Sequence, residues 1–152
     1  MAFGFHVFFQ GLASAQPFLA LVKQPVVRTP IAISLGAIAG ALSRYYIGLW
    51  LSQQVNNSFP YGTLFVNLTG CLAMGFFVTL VFEKIVTIPP EIRLMVAVGF
   101  LGSYTTFSTF KLDTVQLLED RGATSATLYW LGSSILGVIN VQLGSLLAQW
   151  LK

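Results

Sequence analysis

Residues 99–110, with the sequence GFLGSYTTFSTF, constrain the fold of this chain more than any other segment. The run from Leu94 to Phe110 carries no charge, as expected inside a lipid bilayer, yet its glycines, hydroxyls and β-branched residues weaken a helix. Backbone N–H and C=O groups released from a helix are tolerated in a membrane only where they face protein or water. The sequence therefore predicts a helix break that forms a site inside a membrane protein.

The composition places the whole chain in the membrane class. Of its 152 residues, 55% are hydrophobic and 9% are charged, whereas about a quarter of the residues in a soluble domain are charged. The net charge of +3 is spread without a basic cluster, so we expect no nucleic-acid partner. With a single histidine, His6, and a single cysteine, Cys71, a transition-metal site built from side chains is not expected.

Apolar runs predict four transmembrane helices, because about 20 helical residues cross hydrocarbon about 30 Å thick. The predicted spans are residues 31–51, 61–82, 92–119 and 123–150. The third is predicted as two half-helices, residues 92–101 and 106–119, with irregular backbone between them. These spans form one transmembrane domain, residues 31–152. Residues 1–30 are assigned to an N-terminal leader of unknown role, with a fifth span as the alternative.

Positive charges hardly distinguish the two sides of the membrane. Without the leader, Lys84, Arg93 and Lys152 fall on one side of the four predicted spans, and Lys111 and Arg121 fall on the other. Loop charges of this kind set the orientation of membrane proteins, and here they give little preference. A small protein with this distribution is expected to insert both ways and to pair antiparallel.

Arg44 and Asn67, two polar residues in the spans, each allow both a structural and a functional interpretation. Arg44 either snorkels to the nearby interface or places a positive charge at the mouth of an anion path. Asn67 either hydrogen-bonds a neighbouring helix or directs its amide N–H into a pore. Gly102 and Thr105 bracket the predicted break, where unwound carbonyls would suit Na⁺ or K⁺.

The half-helix after the break carries a second group of candidates. Phe107 and Phe110 lie three residues apart and project to the same side. Such pairs are usually core residues, although the positive edge of a ring can stabilise an anion. Ser108 and Thr109 either bond to their own helix or offer hydroxyl donors to a path.

Other classes of protein are less consistent with the sequence. No histidine base, Ser–His–Asp set, phosphate loop or nucleotide fingerprint can be assembled, so we predict that the chain is not an enzyme. A four-helix multidrug exporter needs a carboxylate within the membrane, and no Asp or Glu precedes Glu83 at a span end. A non-transporting assembly subunit with glycine stripes would leave the broken third helix unexplained.

Three motifs resemble those of the Fluc/CrcB fluoride channels. They are GALSR ending at Arg44, GTLFVN ending at Asn67 together with Gly70, and residues 99–110; the resemblance covers about residues 31–151. It implies an all-α membrane protein with four transmembrane helices per subunit and a broken third helix, assembled as an antiparallel, dual-topology homodimer. It also implies passive export of cytoplasmic fluoride across the plasma membrane, which is the inner membrane in a Gram-negative cell.

The resemblance also implies roles for single residues. A structural Na⁺ would be held on the twofold axis by the backbone carbonyls of Gly102 and Thr105, each supplied twice. Asp113 lies where the family usually has Glu. The chain departs from the family pattern at Ser103, where a second glycine is common, and at Gly137, where some members have Ser. The positions that match the fluoride path are Arg44, Asn67, Phe107, Ser108, Thr109 and Phe110.

Overall fold

Helices make up the architecture of the part of the chain that the structure, a computed structural model, describes: residue 20 and residues 24–55, 59–83 and 85–152. We label them α1 (Pro25–Gln54), α2 (Tyr61–Phe82), α3 and α4 (Phe107–Gln149). α3 consists of Pro90–Leu94, a π-helical segment Met95–Leu101 and a last turn Gly102–Tyr104. Most of the predicted leader lies outside the described residues.

α1 begins earlier in the chain than the predicted first span. The sequence placed the start after Pro30, but the helix begins at Pro25, which occupies its first turn. Proline is favoured there because its missing N–H would have no partner within the helix. Pro30 therefore lies inside α1, and residues 25–30 belong to the first helix. On this extension the Arg28 guanidinium lies 3.2 Å from the Glu91 carboxylate at the start of α3.

The helical backbone is interrupted at Thr105 and Thr106, and it turns at Gly122. Thr105 (φ −84°, ψ 159°) and Thr106 (φ −149°, ψ 118°) are extended, so the interruption is shorter than the predicted one. Gly122 has φ 81° and ψ 173°, a conformation open to glycine because it has no Cβ. We call residues 107–121 of α4 the first arm and residues 123–149 the second arm.

Glycines set the two closest helix contacts. α1 packs against α3 at Gly36 and Gly99, and α2 packs against the second arm at Gly75 and Gly144. A Cβ at any of these four positions would collide with backbone atoms of the facing helix. Small residues of this kind are what allow membrane helices to approach closely.

Length and composition make the described helices suitable for crossing a membrane. Three helical stretches qualify: Pro25–Gln54, Tyr61–Phe82 and Pro90–Gln149, the last of which contains both interruptions. Their outward surfaces carry many large apolar side chains, and Leu128 and Val138 are about 70% exposed. Such a surface is unfavourable in water and suits lipid or a partner subunit.

Candidate functional site

Asn67 connects α2 to the interruption between α3 and α4. Its Nδ2 donates a hydrogen bond to the Thr106 carbonyl oxygen at 3.0 Å, and the Thr106 N–H donates to its Oδ1 at 2.8 Å. The single amide thus satisfies both backbone groups of the buried residue Thr106. Of its two interpretations, hydrogen bonding to a neighbouring helix is observed. One N–H of Nδ2 remains for the adjoining groove, because an amide carries two donors.

The rest of the interruption is held by hydroxyl groups. The Thr106 side chain accepts a hydrogen bond from the Thr109 N–H at 3.3 Å and donates to the Thr109 hydroxyl at 2.9 Å. Thr106 is therefore the N-cap of α4, a role in which Thr is favoured. A threonine immediately before a helix is a start signal in a sequence, whereas the second half-helix is predicted to begin at Thr106 itself.

The same hydrogen bonds release two carbonyl groups. In a continuous α-helix the N–H groups of Thr106 and Thr109 would donate to the carbonyls of Gly102 and Thr105, four residues earlier. Here they donate to Asn67 and to the Thr106 hydroxyl instead. The carbonyls of Gly102 and Thr105 thus lose their helical donors, and Gly102 is exposed on the surface of the chain.

Ser103, one of the departures from the family pattern, is accommodated by contacts with α1. Its hydroxyl lies 2.9 Å from the Ala37 carbonyl oxygen and 2.7 Å from that of Gly99. A Cβ at Gly40 would collide with the Ser103 hydroxyl. Ser103 is therefore accommodated because α1 has glycine opposite it, and its hydrogen bonds tie the last turn of α3 to α1.

An aromatic groove of about 300 Å³ lies between α2, the first arm and the second arm. It contains Asn67, Phe107 and Phe110, three of the predicted path residues. Phe107 is 72% exposed and Phe110 is 6% exposed, with ring centroids 6.1 Å apart. Ser133, which the sequence places in a stripe of small packing residues on the fourth span, lines the groove with a buried hydroxyl that has no hydrogen-bond partner among the described residues. The groove thus combines aromatic rings with polar groups.

The other predicted path residues lie elsewhere. Arg44 and Thr109 line a second groove of about 390 Å³ between α1, α2 and the first arm, which we call the arginine groove. Ser108 is exposed and belongs to neither groove; its hydroxyl lies 3.5 Å from that of Thr106. The single chain therefore brings three of the six residues together in the aromatic groove and places the other three outside it.

An acidic vestibule of about 300 Å³ adjoins the arginine groove, where α1 ends and α2 begins. Asp113 and Asp120 of the first arm line it, together with Ser52 and Thr63. The Asp113 carboxylate also accepts a hydrogen bond from the Tyr129 hydroxyl of the second arm at 3.4 Å. Asp113, which stands where the resemblance expects Glu, thus keeps a carboxylate in the vestibule.

Comparison with known proteins gives consistent matches over most of the chain. Residues 31–145 match the family described as CrcB-like protein, Camphor Resistance (CrcB). A curated protein of Trichormus variabilis named fluoride-specific ion channel FluC is 61% identical over 129 residues, covering 85% of this chain and 94% of the relative. This chain belongs to the CrcB family. Relatives of the same name from Synechococcus sp. and Synechocystis sp. are 52% and 47% identical, covering 82% and 81% of this chain and 95% and 94% of the relatives.

Membership of the CrcB family confirms the resemblance drawn from the three motifs. Together with the apolar helices, it establishes an all-α, multi-pass membrane protein. It also confirms the prediction that the chain is not an enzyme, because the named relatives are ion channels.

Proposed function

We propose that this CrcB chain is a passive, fluoride-selective ion channel. The observation that carries the proposal is its 61% identity to a protein named fluoride-specific ion channel. The aromatic groove supplies suitable chemistry, since an amide donor and two aromatic rings meet there. Hydrogen fluoride crosses lipid as a neutral weak acid and ionises in a near-neutral cytosol. The trapped anion then needs only a passive exit.

The selectivity is attributed to donors that replace the hydration shell of fluoride. Fluoride is small and strongly hydrated, so it enters a narrow path only where fixed groups compensate for lost water. The free N–H of Asn67 and the positive edges of Phe107 and Phe110 are such groups. The buried, unpartnered hydroxyl of Ser133 lies in the same groove. None of these groups carries a full charge that would hold the anion tightly.

The working unit that we propose is an antiparallel, dual-topology homodimer in the plasma membrane. Each subunit would cross the membrane four times, with α1, α2, α3 plus the first arm, and the second arm. The proposal is supported by the separation of Arg44, Ser108 and Thr109 from the aromatic groove, because a second subunit could complete the path. The exposure of Phe107 and of the apolar outer surface also leaves room for a partner.

We propose that the interruption holds a structural Na⁺ between the two subunits. The carbonyl oxygens of Gly102 and Thr105 fit this role because their helical donors are engaged elsewhere and because oxygen ligands suit alkali cations. Each subunit would supply two such oxygens. When bound, the cation would add a positive potential near the anion path.

Fluoride efflux from liposomes tests the proposed function. We expect the purified protein to release fluoride rapidly from fluoride-loaded liposomes and to release no chloride from chloride-loaded liposomes. Phe110→Ile should abolish fluoride efflux, because it replaces a ring of the groove by an aliphatic group. Phe82→Ile is the matched control, since Phe82 is 80% exposed at the end of α2. Well-folded wild-type protein that releases no fluoride, or releases chloride equally fast, would refute the proposal.

A further inference from the structure

Lys111 lies in a cage of three aromatic rings. Its ammonium nitrogen is 4.8 Å from the centroid of the Phe107 ring, 5.0 Å from that of Phe110 and 5.1 Å from that of Trp130. The two phenylalanines belong to the first arm, and Trp130 approaches from the second arm. Ammonium groups are attracted to ring faces within about 6 Å, so this geometry is a cation–π arrangement with three partners.

No carboxylate pairs with this ammonium group in the part of the chain that the structure describes. The ion pairs found there join Arg28 to Glu91 and Lys152 to Glu83. The carboxylate nearest in the first arm, that of Asp113, accepts a hydrogen bond from Tyr129 instead. The positive charge of Lys111 is therefore held by ring faces and is not cancelled by a counter-ion.

The caged charge acts on the rings that line the aromatic groove. Phe107 and Phe110 belong both to the cage and to the groove. An aromatic ring has a negative face and a positive edge. The Lys111 ammonium group lies over the two rings, so its uncancelled charge adds a positive field beside the groove that these rings line.

We infer that Lys111 is an electrostatic positioning residue of the anion path, which concentrates fluoride at the aromatic groove without binding it. This inference rests on the proposed function. It differs from a purely structural role, in which Lys111 would only fasten the two arms together. The two roles differ in salt dependence, because a field through solvent is screened and a packing contact is not.

The test compares fluoride flux at low and high ionic strength, with potassium gluconate as the impermeant salt. We expect Lys111→Gln to lower the flux about three- to tenfold at low ionic strength, as loss of electrostatic focusing would. At about 1 M salt, where the Debye length is about 3 Å, the difference should fall below about twofold. Lys111→Arg keeps the charge and should keep most of the flux.

Arg121→Gln is the matched control, because it removes the same charge from an exposed residue outside the aromatic groove. Its flux should equal that of wild type at both ionic strengths. A Lys111→Gln deficit that is absent, or equal at both ionic strengths, would overturn the inference. If Lys111→Gln does not fold, the inference is tested by the salt dependence of the wild-type flux. A wild-type flux that does not fall as the salt concentration rises also overturns the inference. Wild-type protein with no flux would refute the proposed function instead.

Discussion

The contact between α2 and the second arm is closed at one end and open at the other. At the closed end, Gly75 and Gly144 bring the two backbones together, and a Cβ on either would strike a carbonyl oxygen. At the open end lies the aromatic groove, where a Cβ on Gly137 would meet only the Cys71 sulfur at 3.6 Å, an ordinary contact. Glycine is thus required sterically in one half of the contact only. The difference shows how one pair of helices can hold the fold together and also leave space for an ion.

The largest effect is expected from Asn67→Leu, which replaces a polar lining residue of the open end by an apolar one. It leaves the N–H and C=O of the buried Thr106 without partners, at about 1–3 kcal/mol each. We expect a loss of about 2–5 kcal/mol in the free energy of unfolding, measured by denaturation in detergent. Asn140→Leu is the control, because Asn140 donates to the Leu136 carbonyl of its own helix on an exposed surface. Equal losses in the two variants would contradict this role of Asn67.

Gly75→Ala tests the closed end and should have the next largest effect. The added methyl group would lie against the Val141 carbonyl, and overpacking of this kind costs about 1–3 kcal/mol. Gly132→Ala in the second arm meets no atom within 4 Å and should be neutral or stabilising by up to about 1 kcal/mol, since alanine favours helix. A Gly75→Ala unfolding midpoint in detergent that is no lower than those of wild type and Gly132→Ala would show that the closed end tolerates a side chain.

Gly137→Ser tests the open end of the contact. Because the position has room for a Cβ, we expect the free energy of unfolding to change by less than about 0.5 kcal/mol. The added hydroxyl would supply another donor near the aromatic groove, so fluoride efflux should be no slower than in wild type. A strongly destabilised variant would mean that the groove is as tightly packed as the closed end.

The smallest effect is expected at Glu83, the residue that follows α2. Glu83, after α2, is paired with Lys152 and accepts a hydrogen bond from the Gln149 side chain at 3.1 Å. The bond from Lys152 holds the pKa of the exposed Glu83 carboxyl below its ordinary value of 4.5. The stabilisation is therefore present above pH 4.5 and lost as the pH falls through the lowered pKa. At pH 7 we expect wild type to melt at a slightly higher temperature than Lys152→Gln. In acid the two melting temperatures should become equal.

Sequence patterns predicted the features that depend on local composition. The bounds of α2 agree with its predicted span because the helix follows a polar loop that ends at Pro60 and is followed by the charged residue Glu83. The start of α1 was predicted too late because Pro30 was interpreted as a helix start, whereas Pro25 fills that role and Pro30 lies inside the helix. Local patterns identify good first-turn residues but do not choose between two of them.

Contacts between distant residues could not be predicted in the same way. The pairing of Asn67 with Thr106, the hydroxyl contact of Thr69 with Tyr104 at 2.9 Å and the position of Trp130 over Lys111 depend on how the helices are arranged. The sequence identified Asn67 and Phe107 as candidate path residues, but it did not say which helix each would face. The division of the candidate path between two grooves follows from that arrangement.

The bridge from Asn67 to Thr106 also has a consequence for how the chain is made. Asn67 is synthesised 39 residues before Thr106, so the amide that the interruption needs comes earlier in the chain. Thr106 would otherwise enter lipid with an unpartnered N–H and C=O, which is costly. Insertion of α2 is therefore a precondition for stable insertion of the segment that follows, and the order of synthesis matches the order in which the hydrogen bonds are needed.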